Sequence, residues 1–187
     1  MKAMVTGAVA MTAVLATAGT AVAADGPGTG GLVSFGQFRS VAAATAEVPE
    51  AVTYDEELVP EGAVILVTEA VREGRTTIKV VVGGLVPGHT YGTHVHTAPC
   101  GADPAASGPH YQNVAGAATP QNEVWLDITA NALGFGYAVA EQDWVFREGG
   151  ANAVVLHEHA TSHGHDGGTP GTAGDRAACF TVPFEGE

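Results

Sequence analysis

Histidines at alternate positions are the residues of this chain most suited to chemistry. The stretch THVHT at 93–97 carries His94 and His96, and a cysteine and a third histidine follow at Cys100 and His110. Side chains two positions apart on a β-strand share a face, so His94 and His96 should project together while Val95 turns toward a core. Neutral imidazole suits copper and zinc. The spacing predicts a metal site, although a lone His-x-His pair is more often a pair of surface histidines.

A second apolar segment repeats this arrangement. In AVVLHEH, at 153–159, the alternation places Val154 and Leu156 on one face and His157 on the other. Four histidines associated with two such segments favour the metal site over the surface-histidine interpretation.

The elements that would position these histidines are short strands. Apolar, β-branched runs separated by glycine and proline predict further strands in AVILVTEA, TTIKVVVGGL, EVWLDIT, FGYAVAEQDWVF and ACFTV. No segment shows a sustained 3.6-residue periodicity. Many short strands without helices predict an all-β sandwich or Greek-key barrel, formed by a single domain at 49–187.

The first 48 residues are predicted to precede that domain. Lys2, an Ala- and Val-rich run and the small-residue motif AVA at 21–23 predict a secretory signal peptide over 1–23 rather than a membrane anchor. Residues 24–48 are rich in Gly and Ala and are predicted to be a flexible leader. These features indicate a secreted protein, or one of the periplasmic or cell-wall space, with no membrane contact after cleavage.

The charge balance restricts the partners. The chain has 20 acidic residues against 7 Lys and Arg, a formal net charge of −13. Such a chain is poorly suited to nucleic acid or to an anionic membrane surface. Its oligomeric state is left open by the sequence.

Two cysteines are present, Cys100 and Cys179. An even number in an exported domain predicts one disulfide bond rather than two free thiols. The bond would close a long loop and, by the chain-entropy argument, would stabilise the fold by up to about 4 kcal/mol.

The motifs taken together resemble a known family. GLVPGHTYGTHVH, the cysteine, GPH, VVLHEH and GTAGDRAAC occur here in the order seen in copper/zinc superoxide dismutases, and the resemblance spans roughly 51–182. It implies an eight-stranded Greek-key β-barrel, an immunoglobulin-type sandwich with the metal on its outer face. It also implies an antioxidant oxidoreductase that converts superoxide anion to oxygen and hydrogen peroxide.

Individual roles follow from the same resemblance. His94, His96 and His157 match the copper ligands, and His110 matches the histidine that bridges copper and zinc and carries a proton to the product. Arg176 matches the arginine that holds the substrate anion, and a structural salt bridge to Asp175 is the alternative role for it. Cys100 and Cys179 match the family disulfide.

The zinc ligands of the family are missing. The loop at 111–134 contains no histidine, so three of four zinc ligands cannot be supplied, and Thr161 stands where a secondary bridging aspartate is expected. The chain therefore resembles the zinc-less, copper-only branch, in which an acidic residue takes over from zinc. Glu123 is the candidate for that role, Asp127 is the alternative, and a solvated surface glutamate is the third possibility.

The remaining histidines allow two interpretations. His159, His163 and His165, with Asp166, could form an auxiliary site that captures metal, but a solvated loop is favoured. His89 lies in a turn and is predicted to be structural or exposed.

Two other functional classes remain besides the enzyme. A copper-buffering protein without turnover would not need Arg176, and an adhesion module without metal would not need four histidines. Both features favour the enzyme.

Overall fold

The computed structural model describes residues 29–41, 48–165 and 167–186, and they form an all-β fold, as predicted. These residues contain a 3-10 turn at Pro104–Ser107 and no α-helix. The resemblance implied eight strands, whereas eleven are observed in the described ranges, because three two-residue strands add to eight longer ones. They are β1 Thr29–Gln37, β2 Arg39–Ser40, β3 Ala51–Thr53, β4 Val64–Arg72, β5 Arg75–Gly83, β6 Thr90–Tyr91, β7 Thr93–His96, β8 Ile128–Thr129, β9 Phe135–Gln142, β10 Ala153–His157 and β11 Arg176–Thr181.

The strands form two main sheets and a small one. The first has the order β1-β4-β5-β9, the second the order β2-β3-β11-β10-β7, and β6 pairs with β8. In β4 and β5 the side chains alternate between buried and more exposed, because only one face of this sheet lies on the core. Ile65, Val67 and Ile78 point inward and share one apolar cluster with Val154 and Leu156 of the second sheet.

The second sheet positions the histidines as the alternation predicted. Val95 lies opposite Val154 in the β7–β10 pairing, and both are buried in the core. His94 and His96 lie opposite Val155 and Ala153. The histidines therefore belong to the outer face of this sheet.

The prediction of a flexible leader at 24–48 is wrong for residues 29–40, which form β1 and β2. β1 pairs with β4 along its whole length. Glycines at several positions of β1 make its alternation hard to detect in the sequence. In the structure Leu32 and Ser34 are buried, and Val33 and Phe35 are exposed. Gly36 is required in β1, because a Cβ there would lie 2.6 Å from the ring of Phe180. The predicted signal peptide and residues 24–28 and 42–47 lie outside the described residues.

The segment EVWLDIT is a strand only at its end, so that prediction is also corrected. Ile128–Thr129 form β8, and Trp125 makes an isolated bridge to His94. The Gln142 side chain donates to the Glu123 carbonyl oxygen at 2.7 Å, in place of a backbone N–H from a neighbouring strand. The predicted burial of Val124 and Leu126 is nevertheless observed.

A disulfide bond holds a loop over the second sheet. Cys100 is bonded to Cys179 of β11. Beneath the loop, Val52, Ala153 and Val155 form a second apolar cluster with Cys179. The described residues contain no helix that is long and apolar enough to span a membrane.

Candidate metal centre

Four histidines converge at the outer face of the second sheet. His94 and His96 come from β7, His157 from the end of β10, and His110 from the disulfide-held loop, where it makes a β-bridge with His96. One ring nitrogen of each lies within 4.8 Å of the corresponding nitrogen of every other. Three of the rings are buried, whereas the His110 side chain is 20% exposed. His110 is thus the member that solvent can reach.

Carbonyl oxygens fix the tautomers of His96 and His157. Nδ1 of His96 donates to the carbonyl oxygen of Gly108 at 2.9 Å, and Nδ1 of His157 donates to that of Gly174 at 3.3 Å. A carbonyl only accepts, so the proton sits on Nδ1 in both rings and each Nε2 carries a lone pair. These two Nε2 atoms face each other at 3.3 Å. Two lone pairs that face each other repel, and a cation between the two nitrogens removes that repulsion.

His94 is oriented the opposite way, through a chain of two residues. The Thr161 hydroxyl donates to the carboxylate of Asp127, and the Thr161 backbone N–H donates to the same carboxylate at 2.8 Å. The hydroxyl must therefore accept at 2.8 Å from Nε2–H of His94. Nδ1 of His94 is left with a lone pair, is buried, and has no hydrogen-bond partner in the described part of the chain.

His110 is held by Glu123. Nδ1 of His110 lies 2.9 Å from Oε2 of Glu123, a carboxylate that is 2% exposed. The same carboxylate accepts from Trp125 Nε1 and Gln112 Nε2, each at 2.8 Å. Burial raises the pKa of Glu123, but the hydrogen bonds from His110, Gln112 and Trp125 outweigh it and hold the pKa below its ordinary value. Glu123 is therefore a carboxylate, and Nε2 of His110 is free to face the other three rings.

This donor set fits a metal ion. Four imidazole nitrogens with lone pairs lie together in one small space, and one of them, Nδ1 of His94, is buried with no partner among the described residues. Burial lowers the pKa of His94 well below its usual value, that of His96 to about 2 and that of His157 to about 4. The rings are therefore neutral and available as ligands at physiological pH. An all-imidazole set suits copper or zinc.

The depressed histidine pKa values predict that acid destabilises the metal-free protein. The folded state keeps His94, His96 and His157 neutral, whereas the unfolded chain binds a proton on each below about pH 6.5. Stability present above that pH is lost as the pH falls, down to about 4 for His157 and about 2 for His96. The measurement is the free energy of unfolding in urea, with each histidine contributing up to about 1.4 kcal/mol per pH unit.

Glu69 supplies the control for this experiment. Its carboxyl is buried on the core side of β4, and burial raises its pKa to about 7. The hydrogen bond from the Glu185 backbone N–H opposes this rise, and the Glu185 carboxylate adds a smaller upward contribution. The folded state thus keeps a proton that the unfolded chain loses above about pH 4.5, so Glu69 stabilises at low pH and opposes the histidines. Glu69→Gln should steepen the loss of stability on acidification. A free energy of unfolding that stays level in both proteins would contradict the depressed pKa values.

Arg176 lies beside the four histidines. It is paired with His157 in the β10–β11 register. Its Nη1 donates to the carbonyl oxygen of Pro104 and to the Ser107 hydroxyl, at 2.6 and 2.9 Å, and its Nη2 donates to Gly108 O at 2.6 Å. Burial lowers the pKa of Arg176 from its ordinary value. The guanidinium is therefore fixed by the same loop that carries His110, and among the described residues its hydrogen bonds go to Pro104, Ser107 and Gly108 rather than to Asp175.

A cavity of about 650 Å³ adjoins Arg176. Apart from Arg176, its charged lining is acidic: Asp55, Asp103, Glu158 and Asp175. The potential in this cavity favours cations, and Arg176 is the group in its lining that can attract an anion.

The structure separates the other predicted residues from this cluster. Asp127, the alternative partner of His110, binds Thr161 instead. His159, His163 and His165 are exposed and do not belong to the one group of metal-ligating side chains found among the described residues. Asp166 lies outside those residues. His89 is structural: its Nε2 lies 2.8 Å from the carbonyl oxygen of Glu158.

Sequence reasoning missed the residues that act through hydrogen bonds. These are the carbonyl of Gly108, the Thr161–Asp127 pair, and the Gln112 and Trp125 donors to Glu123. Trp125 shares the alternating face of Glu123 in the sequence, so its proximity could have been read there. The pairing of Thr161 with Asp127 spans 34 residues and left no local signal.

Comparisons with known proteins find similarity among solved structures. No family model matches the chain, and no curated protein matches it. Among solved structures, the Cu/Zn superoxide dismutase from Brucella abortus is similar over 64% of this chain and 87% of that chain, with 23% sequence identity and a TM-score of 0.49.

Proposed function

We propose that the protein is an extracytoplasmic, copper-dependent superoxide dismutase of the zinc-less type. The observation that carries the proposal is the convergence of four imidazoles beside a fixed arginine. The overall reaction consumes two superoxide anions and two protons and yields one O₂ and one H₂O₂. Copper held by His94, His96, His157 and His110 would supply the one-electron cycling that this reaction needs.

The residues of the chain supply the anion site and the proton. Arg176 would hold superoxide beside the histidines by charge-assisted hydrogen bonds. His110 is the solvent-accessible ring, so its Nε2, when it is not serving as a ligand, can take a proton from water and give it to the reduced dioxygen product. A second proton from water completes H₂O₂. Glu123 stabilises the imidazolium formed in that step and keeps Nδ1 protonated throughout.

Superoxide decay followed by pulse radiolysis tests the activity directly. The copper-loaded protein should remove superoxide catalytically, and the metal-free protein should not. Copper binding without catalytic decay would favour a second candidate, a copper-buffering protein, for which the acidic cavity beside the site provides an entry for cations.

The metal content is expected to be about one copper per chain with no tightly bound zinc. Nδ1 of His110, the nitrogen that would face zinc, lies 2.9 Å from Glu123, and no further histidine follows in the loop at 111–134. Elemental analysis after loading with both metals measures this. One zinc per chain that persists when His159, His163 and His165 are replaced by Asn would contradict the copper-only assignment.

Arg176→Ala is expected to lower the rate of superoxide decay by about tenfold or more, because the one cation beside the site is lost. The copper content should be unchanged, since the four ligands remain. Arg72→Ala is the matched control: it removes the same charge from the other sheet and should leave the rate near that of the wild type. Equal rates in both variants would assign Arg176 a purely structural role.

A further inference from the structure

The last described residues of the chain pack beside the start of β1 and the end of β4. We call 183–186 the strap. Phe184 is buried and packs against Phe146, with the two ring centroids 5.1 Å apart. Gly186 makes a parallel β-bridge with Phe146, and a Cβ on Gly186 would lie 2.5 Å from the backbone nitrogen of Glu148. The strap is therefore held in close contact with the rest of the fold.

One side chain of the first sheet holds the strap through a hydrogen bond. Oε2 of Glu69, in β4, accepts from the backbone N–H of Glu185 at 2.8 Å. The other oxygen, Oε1, is buried and has no hydrogen-bond partner in the described part of the chain. An ionised carboxylate is costly in this position, since neither water nor a donor compensates the charge on Oε1. The position therefore favours the protonated carboxyl.

The groups that face Glu69 do not balance a negative charge. Among the described residues Glu69 forms no ion pair. Leu32 of β1 and Ile78 of β5 lie opposite it, and the inward face of β9 has no titratable side chain. The titratable group that acts on Glu69 is Glu185, whose carboxylate lies over β1, where a Cβ on Gly30 would overlap its Oε2. Burial raises the pKa of Glu69 to about 7, the hydrogen bond from the strap opposes this rise, and the charge of Glu185 adds to it.

The other charged groups around this end of the first sheet are engaged elsewhere or exposed. Arg75 is ion-paired with Asp143. Arg147 lies behind the strap, but its guanidinium donates to the carbonyl oxygens of Gln112 and Asn113. The remaining charged side chains are exposed, namely Arg72, Glu73, Lys79, Glu141 and Glu148. Ionisation of the buried carboxyl therefore creates a negative charge without a counter-charge.

We propose that the strap is a pH-dependent latch, closed while the Glu69 carboxyl is protonated and open once it is ionised. Opening breaks the hydrogen bond to Glu185 and exposes Phe184, but it lets water hydrate the charge of Glu69. β1, β4 and β5 stay paired along their whole length, so the opening is local and needs less free energy than global unfolding. The latch belongs to the first sheet and does not depend on the proposed function.

The direction of the pH response follows from the proton that the closed strap retains. The closed form keeps the Glu69 proton up to about pH 7, whereas the open form, with the carboxyl in water, loses it above about pH 4.5. The closed form is therefore favoured at low pH, and this preference is lost as the pH rises from about 4.5 to about 7. Over that interval the equilibrium constant for opening should rise by up to about tenfold per pH unit, roughly 300-fold in all.

Hydrogen exchange of the full chain, followed by NMR, tests the latch. The amides of Phe184 and Glu185 report opening of the strap, and those of Val67 and Val80, in the two central strands, report unfolding of the first sheet. Exchange rates divided by the intrinsic rates of an unstructured chain at the same pH give the opening constants. Between about pH 5 and about pH 8 the constant for the strap should rise roughly 50- to 100-fold, and that for the sheet should not follow it.

Three variants relate the response to the buried carboxyl. Glu69→Gln keeps an acceptor for the strap and cannot ionise, so its opening constant should stay level with pH. Glu185→Gln keeps the backbone donor and removes the second charge, so its total rise should be smaller than that of the wild type. Glu148→Gln is the matched control: it removes an exposed acidic charge beside Gly186 and should keep the wild-type response.

Three results would overturn the latch. They are a strap constant that stays level with pH in the wild type, the same rise in Glu69→Gln, and an equal rise at Val67 and Val80, which would mean unfolding of the whole sheet. Carbon-13 NMR of the wild type gives a result even if Glu69→Gln fails to fold. The Cδ resonance of Glu69 should titrate near pH 7, and titration near 4.5 would equally overturn the proposal.

Discussion

Glu123→Gln should slow superoxide decay by about 10- to 100-fold while leaving the copper content unchanged. His94, His96 and His157 still hold the metal in this variant. What is lost is the negative charge beside Nδ1 of His110, which stabilises the protonated ring and fixes its orientation.

The surroundings of Glu123 make this substitution selective for charge. A glutamine can keep an oxygen toward His110 and Trp125 and turn its amide group toward Gln112. The Gln112 amide can then turn over and present its own oxygen, so each hydrogen bond at position 123 has a counterpart, and only the long bond from the Gly116 N–H to Gln112 Oε1 is given up. The geometry of His110 is thereby preserved, and the change in rate reports the missing charge.

Glu61→Gln is the control for this variant, because Glu61 is exposed in the turn before β4. Pulse radiolysis on copper-loaded wild type and both variants, with elemental analysis of each, gives the comparison. If Glu123→Gln keeps the wild-type rate, the charge of Glu123 is not needed, and the conformation of the loop alone orients the His110 ring.

Removal of the disulfide should have the largest effect on stability. Replacing Cys100 and Cys179 together by Ser opens a loop with a sequence separation of 79 residues. By the chain-entropy argument the free energy of unfolding should fall by about 4 kcal/mol, roughly a thousandfold in the folding equilibrium. Urea unfolding of the metal-free protein measures the change.

The disulfide should also matter for metal binding. The loop it anchors carries His110 and supplies Gly108 O, which fixes the tautomer of His96. Copper affinity should therefore fall in the same double variant, and reduced wild type should behave likewise. A fall in stability with unchanged copper affinity would show that the loop keeps its conformation without the covalent link.

The sequence predicted what depends on local alternation. His94 and His96 share a face because the side chains of any strand alternate, and that rule needs no knowledge of the rest of the fold. β1 escaped prediction because its glycines interrupt the alternation of Leu32, Ser34 and their outward neighbours. Asp127 remains an alternative partner of His110 in the sequence, because its contact with Thr161 exists only after the chain has folded.

The carbonyl oxygen of Gly108 accepts from both His96 and Arg176, so the ligand set and the anion site share one acceptor atom. Gly108 has φ of 70°, and a Cβ there would lie 2.5 Å from the Thr97 hydroxyl. Replacement of Gly108 by any other residue would therefore shift the backbone and move its carbonyl oxygen. The position has very low mutational tolerance, and a single change there would impair metal retention and substrate attraction together. A directed-evolution library aimed at altered anion selectivity should therefore hold residue 108 constant and vary the acidic lining of the adjoining cavity.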